Sequence, residues 1–528
     1  MTYREIEDAD PSLPRSTVHG LLGPADKRAG RECTGKLERL VTVLLARAAP
    51  DDPAAAPWRD RAAWQRRWEE LDDRGRSDAL LAGTPTGGAL GWDGPLERAG
   101  MGADTELAWL TGSRLPRIAA VIGELSALGL YRRAHDVARE FLRCAEETLP
   151  PQDPGMLAAR HVAAYWAGEA GEVRRARDLT ARLGADCLDA LGADHPLTRL
   201  SALRLAAWTT GAGDPAQGRR LYRELARNGP DDRITLLARL GGAGAAHLAG
   251  DTDESLDRLA ALLPDLRAEY GEHHAVVLAA RMQQVRGRRR MGERGWSCSL
   301  ELLDGLVREA SEHLGPAHPL TLYVRGRHAR AVGSHGDWPR ALELAEETYR
   351  EAVRVNGPDH PDSLTVGNSL AVILARSDAQ ASEVLFRELH GRARDRLGDD
   401  HYRTLRIAHN LTVVVHSHDP AAARPLYEEV REARVRVLGA DHPDTLLTRF
   451  SIAHTVLLLE GGDAARPLFE EVHRARARVL GPQRPDTLRV LRYLGGGGPA
   501  VPELPGDPPR PRAGRPPGGG GAPVPRVL

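Results

Sequence analysis

The feature that most constrains this chain is a short phrase that returns at a nearly fixed interval. It is a glycine, two or three residues, a proline, then Asp or Leu and a Thr. It reads LGADHPLT at 191–198, LGPAHPLT at 314–321, NGPDHPDS at 356–363 and LGDDHYRT at 397–404. LGADHPDT follows at 438–445 and LGPQRPDT at 480–487. Degenerate copies stand at 150–156, 228–235 and 270–277. The marker therefore falls at 154, 196, 233, 275, 319, 361, 402, 443 and 485, at intervals of 37 to 44 residues and mostly 41 or 42. A sustained period in this range predicts a stack of repeated units rather than one folded core.

Each unit reads as two helices. In the unit that starts at Pro443, Asp441 or His442 is placed to cap, Pro443 suits the first helical position, and Asp444 complements the positive helix end. Leu446, Phe450, Ala453 and Leu457 then recur at helical spacing. Gly461-Gly462-Asp463 breaks the chain, with Asp463 as the expected cap of the second helix. Leu468, Val472, Ala475 and Val479 form the expected stripe of that helix, and Gly481 supplies a left-handed stop. Comparable breaks recur at Gly213-Asp214, Gly250-Asp251, Gly336-Asp337, Asp378 and Asp419. Helices of about 17 residues are about 25 Å long. Neither helix buries its stripe alone, so neighbouring units must stack.

A helix pair of about 42 residues marked L-G-x-D-H-P-x-T-L resembles the long tetratricopeptide repeat of the kinesin light chain type, over residues 109–494. The resemblance implies an all-α, right-handed superhelical solenoid whose concave face holds a peptide or partner protein. In that family, asparagines on the first helix of each unit grip a ligand's backbone. Asn368 in GNSLA and Asn410 in HNLTV match that pattern, while Leu203-Arg204, Gly326-Arg327 and Phe450-Ser451 depart from it. Residues that differ between units at equivalent first-helix positions are where specificity resides. On that ground Arg327, Asn368, Asn410 and Arg449 are the groove candidates. As surface amides, Asn368 and Asn410 are expected to be removable together with loss of partner capture and little change in stability.

The two ends of the chain lie outside the period. Residues 1–71 begin TYREIEDADPSLPRSTVHGLL, which reads as a short helix, a turn at Pro11-Ser12, and a second helix from Pro14. This resembles the helix-turn-helix of Cro/repressor-type regulators of actinobacteria, entered at what would be its second helix. The resemblance places Arg15, Ser16, Thr17 and His19 toward the major groove of double-stranded DNA. Eight basic and seven acidic side chains over residues 1–47 leave only a weak electrostatic footprint. Residues 72–108 read as a Gly-rich linker, and residues 495–528 as a Pro/Gly-rich tail that cannot build a core.

Catalytic and metal chemistry find little foothold. Gly30 to Lys36 nearly spells a phosphate-binding loop, but Leu37 stands where Mg²⁺ needs a hydroxyl, and no buried strand precedes the glycines. The marker histidines His195, His318, His360, His401 and His442 come one per unit, and stacked helices about 8–10 Å apart keep them from converging on one ion. They are expected to cap first helices. The cysteines Cys33, Cys144, Cys187 and Cys298 share no short spacing, which suits a reducing compartment. The 72 basic and 73 acidic side chains leave a formal charge of -1, which excludes a surface built throughout for nucleic acid. No stretch has the length of apolar sequence that a membrane span needs. The sequence therefore predicts a cytoplasmic protein- or peptide-binding solenoid, with no enzymatic activity, cofactor or metal. It is expected to be joined to a DNA-binding module as a transcription regulator, or, if that module is a relic, to serve as a scaffold.

Overall fold

The computed structural model describes residues 129–494, with Ile122, Leu125 and Ser126, apart from 231, 289–292, 317 and 483. All regular structure among these residues is helical. The order is α1 (Tyr131–Thr148), α2 (Pro154–Glu169), α3 (Val173–Leu191), α4 (Pro196–Gly211), α5 (Pro215–Asn228) and α6 (Arg233–Ala249). Then come α7 (Thr252–Tyr270), α8 (Ala275–Arg288), α9 (Glu293–His313), α10 (Pro319–Ser334), α11 (Trp338–Asn356) and α12 (Pro361–Leu374). The last are α13 (Ala379–Leu397), α14 (Tyr402–His418), α15 (Pro420–Val437), α16 (Pro443–Glu460), α17 (Gly462–Val479) and α18 (Pro485–Leu494). Every marker position from 154 to 485 is the first residue of a helix, so the all-α repeat architecture expected from the sequence is the architecture observed. The N-terminal module with Arg15, Ser16, Thr17 and His19, the 72–108 linker and the 495–528 tail lie outside the described residues.

The marker earns its period through three interactions. Its histidine caps the first helix by an imidazole acceptor. Nδ1 of His318, His360, His401 and His442 each accepts the backbone N–H two residues on, at 3.1–3.2 Å, which satisfies an amide the helix start leaves unpaired. Its hydroxyl ties the new helix to the one before. Thr198, Thr321, Ser363 and Thr404 donate to carbonyls near the ends of α3, α9, α11 and α13, eleven residues back. Its glycine ends most second helices at positive φ, for example +94° at Gly398 and +102° at Gly439, a region that costs other residues strain; Gly229, after α5, is extended instead at φ -95°.

First and second helices are buried differently. A first helix is walled in by its own partner and by both neighbouring pairs. In α14, residues from Arg403 to His416 are buried almost all round, whereas α15 buries only Ala423, Tyr427, Val430 and Arg434. The second helix α17 departs from expectation in two ways. It starts at Gly462, with Gly461 as its cap, so Asp463 falls inside the first turn and makes no cap bond. Its buried stripe is Ala465, Phe469, Val472 and Ala475; Leu468 is only half-buried. The aromatic ring takes the core position, against Phe450 at 5.6 Å and Tyr493 at 4.8 Å, because it covers more apolar surface there than the neighbouring leucine.

Residues 129–170 and 175–204 form one compact unit, and 171–174 with 205–494 a second. In the first, Leu157, Leu183, Cys187 and Leu197 share a core, and the Arg204 guanidinium lies over the Tyr165 ring at 4.6 Å. In the second, Leu278, Met282, Leu303, Leu306, Leu320 and Val324 share one buried cluster across two helix pairs. Ala329, Ala341, Ala345, Leu370 and Ile373 share the next, so the apolar interior runs from pair to pair.

Candidate functional site

The second unit carries a cavity of about 230 Å³ walled mainly by four successive first helices, α10, α12, α14 and α16. The helical period chooses the lining. Tyr323, Thr365, Arg406 and Leu447 all stand five residues after the capping histidine of their units, and Arg327, Ser369 and Asn410 stand nine after it. Positions five and nine lie on one helix face, one turn apart. Arg330 extends that face by another turn on α10. Asn368 and His409, eight after their caps, complete the wall, and Arg434 reaches in from α15.

Two of the expected groove residues meet here directly. Asn410 Nδ2 donates to Asn368 Oδ1 at 2.9 Å, across two repeats. They are not surface amides, however: Asn410 is 1% exposed and Asn368 6%. Asn410 Oδ1 has no hydrogen-bond partner among the described residues. Arg327 lines the same cavity. Arg449 does not, because it stands seven residues after His442, off the lining face, where it pairs with Glu471 of α17. The expectation that the two asparagines are stability-neutral thus meets a buried, cross-repeat bond.

The cavity is electropositive. Arg327, Arg330, Arg406 and Arg434 line it, against the single carboxylate of Asp444. Arg434 is fully buried, and its Nη1 donates to the Asp444 carbonyl at 2.6 Å and to Thr448 Oγ1 at 2.7 Å. Burial lowers the Arg434 pKa, with Asp444 opposing that shift. At Asp444 burial pushes the carboxyl up, but Arg434, His442 and Arg406 outweigh it and hold it below the usual range. Asp444 is therefore ionised, and it is the one carboxylate among the lining residues. His409 is neutral, held well down by burial and then by Arg434.

A buried histidine pair joins α14 and α16. His416 Nε2 and His454 Nδ1 are 3.2 Å apart, and His416 Nδ1 lies 3.1 Å from Thr455 Oγ1. Burial holds both imidazoles down to about 4. Among the described residues no group of three or more His, Cys, Asp or Glu side chains is arranged to hold a metal ion, and no helix is long and apolar enough to cross a membrane. Sequence reasoning missed Tyr323, Arg330 and Arg406, although their spacing of three or four residues from the chosen positions was readable. Arg434, on a second helix, carries no such signal.

This arrangement of capped helix pairs, with side chains facing inward from successive first helices, is that of tetratricopeptide repeats. Residues 321–362 and 404–444, the pairs that build most of the cavity, match the family model of the tetratricopeptide repeat. No curated protein matches the chain. Three solved structures that align with this one are a putative kinesin light chain of Podosopora anserina with nearly identical TPR-like repeats, a Rap protein complexed with competence and sporulation factor, and the apo quorum sensor NprR of B. thuringiensis. The first is 18% identical, covering 46% of this chain and 95% of that one, with a TM-score of 0.24. The second is 11% identical, covering 70% and 99%, with a TM-score of 0.48. The third is 9% identical, covering 69% and 99%, with a TM-score of 0.41. Among the described residues the structure is an all-helical array of helix pairs, two stretches of which match the tetratricopeptide repeat.

Proposed function

We propose that the solenoid captures an extended, acidic peptide segment of a partner along α10, α12, α14 and α16, and that this capture regulates a DNA-binding module in residues 1–71. The observation that carries the reading is the cavity itself: four arginines against one carboxylate, around a cross-repeat asparagine pair. An amide both donates and accepts, so it suits the backbone of an extended peptide whatever its side chains. A guanidinium fork suits a carboxylate. Together they select an extended chain that ends in, or carries, a carboxylate. The DNA half rests on the sequence resemblance of the N-terminal residues, with Arg15, Ser16, Thr17 and His19 facing the major groove.

Panning a randomised heptapeptide display library on the immobilised full chain tests the first half. Enriched peptides are expected to be rich in Asp and Glu, to lose binding as salt rises, and to lose enrichment with Arg327→Ala plus Arg406→Ala. An enrichment unchanged by those two substitutions places the ligand elsewhere. For the second half, full-length protein is expected to shift duplex DNA in a salt-dependent way, with Arg15→Ala weakening binding by about 1–3 kcal/mol if that side chain reads a base. Affinity no greater than that of protein lacking residues 1–71 would make that module a relic and the chain a scaffold.

A further inference from the structure

The marker residue does more than cap its helix. His442 Nδ1 accepts the Asp444 N–H, so the ring proton sits on Nε2, and Nε2 donates to the Gly211 carbonyl at 3.2 Å, 231 residues away. The turn that follows Gly211 makes room for the ring: a Cβ on Gly213 (φ +96°) would lie 2.8 Å from His442 Cδ2 and 3.1 Å from its Cα. The same construction repeats one unit on. In the last marker an arginine replaces the histidine, and Arg484 Nη2 donates to the Leu248 carbonyl at 3.2 Å, 236 residues away. A Cβ on Gly250 (φ +113°) would meet Arg484 Cδ at 3.1 Å and the Leu480 carbonyl at 3.4 Å. Three consecutive cap residues thus seat on three consecutive inter-helix glycine turns, since a Cβ on Gly171 (φ +103°) would lie 3.2 Å from His401 Cα; His442 and Arg484 also donate to a distant carbonyl. Gly336, the equivalent turn glycine of the α10–α11 pair, also has positive φ (+107°) but nothing within 4 Å of the place its Cβ would take. Positive φ alone ends the helix; in Gly213 and Gly250 the missing side chain also admits a distant part of the chain.

We propose that His442 and Arg484 form a two-rung clasp between one coil of the solenoid and the next, and that this clasp sets the position of the cavity wall formed by α16. The first turn of α16 carries both ends of the argument: His442 faces the clasp, and Asp444, two residues on, lines the cavity and is held by Arg434. A rigid helical turn cannot move one without the other. Opening the clasp therefore shifts the Asp444 wall and changes the grip on a ligand. This second half rests on the peptide-binding reading given above; the clasp itself does not.

The test compares Gly213→Ala with Gly250→Ala, together, against Gly336→Ala, in the full-length protein. Each of the three substitutions places a side chain at positive φ and so carries the same kind of backbone strain, but only the first two obstruct a rung. Hydrogen exchange is read on the far side of the clasp, in residues 439–446 and 481–488, where no substitution has been made. Exchange there is expected to rise about tenfold in the double variant, equivalent to about 1.4 kcal/mol, and to stay at the wild-type rate in Gly336→Ala. Arg484→Met, which keeps the aliphatic stem but cannot donate to Leu248, is expected to raise exchange in 481–488 and serves if the double variant does not fold. Affinity for an acidic heptapeptide selected on the wild type is expected to change by about fivefold or more when the clasp is open. Unchanged exchange at 439–446 and 481–488 relative to the control overturns the clasp. Raised exchange with unchanged peptide affinity overturns its control of the cavity. If no acidic peptide binds the wild type, the functional reading and the control of the cavity fail together, and the exchange result still decides the clasp.

Discussion

Removing the two cavity asparagines one at a time should produce an order of stability opposite to the one burial alone suggests. Asn410 is 1% exposed and Asn368 6%, so loss of packing points to Asn410→Ala as the worse change. The hydrogen bonds point the other way. Asn410 Nδ2 has Asn368 Oδ1 as its partner, and Asn410 Oδ1 has none. Asn368→Ala therefore strands the whole Asn410 amide in a buried site, at a cost of about 1–3 kcal/mol for the newly unpaired donor. Asn410→Ala also breaks the bond, but it removes an acceptor that was already unsatisfied, and it leaves behind only Asn368, the more exposed of the two. It should cost about 1 kcal/mol less than Asn368→Ala. The double change leaves no buried amide at all, so its cost should fall short of the sum of the singles by about 0.5–1.5 kcal/mol. The assay is a double-mutant cycle in urea, followed by hydrogen exchange of α12 and α14, because a repeat array need not unfold in one step. Additive costs, or a larger cost for Asn410→Ala, would refute the reasoning.

Other expectations follow from the same geometry. Burial holds His416 and His454 down to about 4, so both are neutral in the folded protein at pH 7 and their unfolded counterparts take up protons first on acidification. Stability should be full above about pH 6.5 and fall as pH drops toward 4, by up to about 3 kcal/mol per imidazole; His416→Gln with His454→Gln should flatten that slope in a thermal melt, and an unchanged slope would show that the pair does not titrate with unfolding. Phe469→Ala should cost about 3–5 kcal/mol and Leu468→Ala less than half of that, with faster exchange confined to α15–α18 because coupling is between neighbours; an equal cost would mean the stripe is misassigned. Arg449→Ala should leave peptide capture unchanged and cost under about 1 kcal/mol, since it breaks only its pair with Glu471; loss of capture on surface plasmon resonance would return that residue to the site.

Helix starts were legible because they depend on local chemistry. The Gly, His, Pro and Thr of the marker each act within about eleven residues of themselves, as stop, cap, first helical residue and staple, and among the described residues all nine first helices begin where the marker stands. Part of the cavity was legible for the same reason: Arg327, Asn368 and Asn410 differ from unit to unit at nearly equivalent first-helix positions. A single residue of offset decided the rest. Arg449 is rotated off the lining face, and Phe469 displaces Leu468 from the core, because a helix turns by about 100° per residue while sequence spacing tolerates a shift of one. What the tertiary structure alone decided is what joins distant units. The sequence shows that Gly213 and His442 both recur in a pattern, but each is fully explained locally, by a turn and by a cap. Only the coiling of the stack brings them together, through a rotation accumulated over successive pairs that no single repeat encodes.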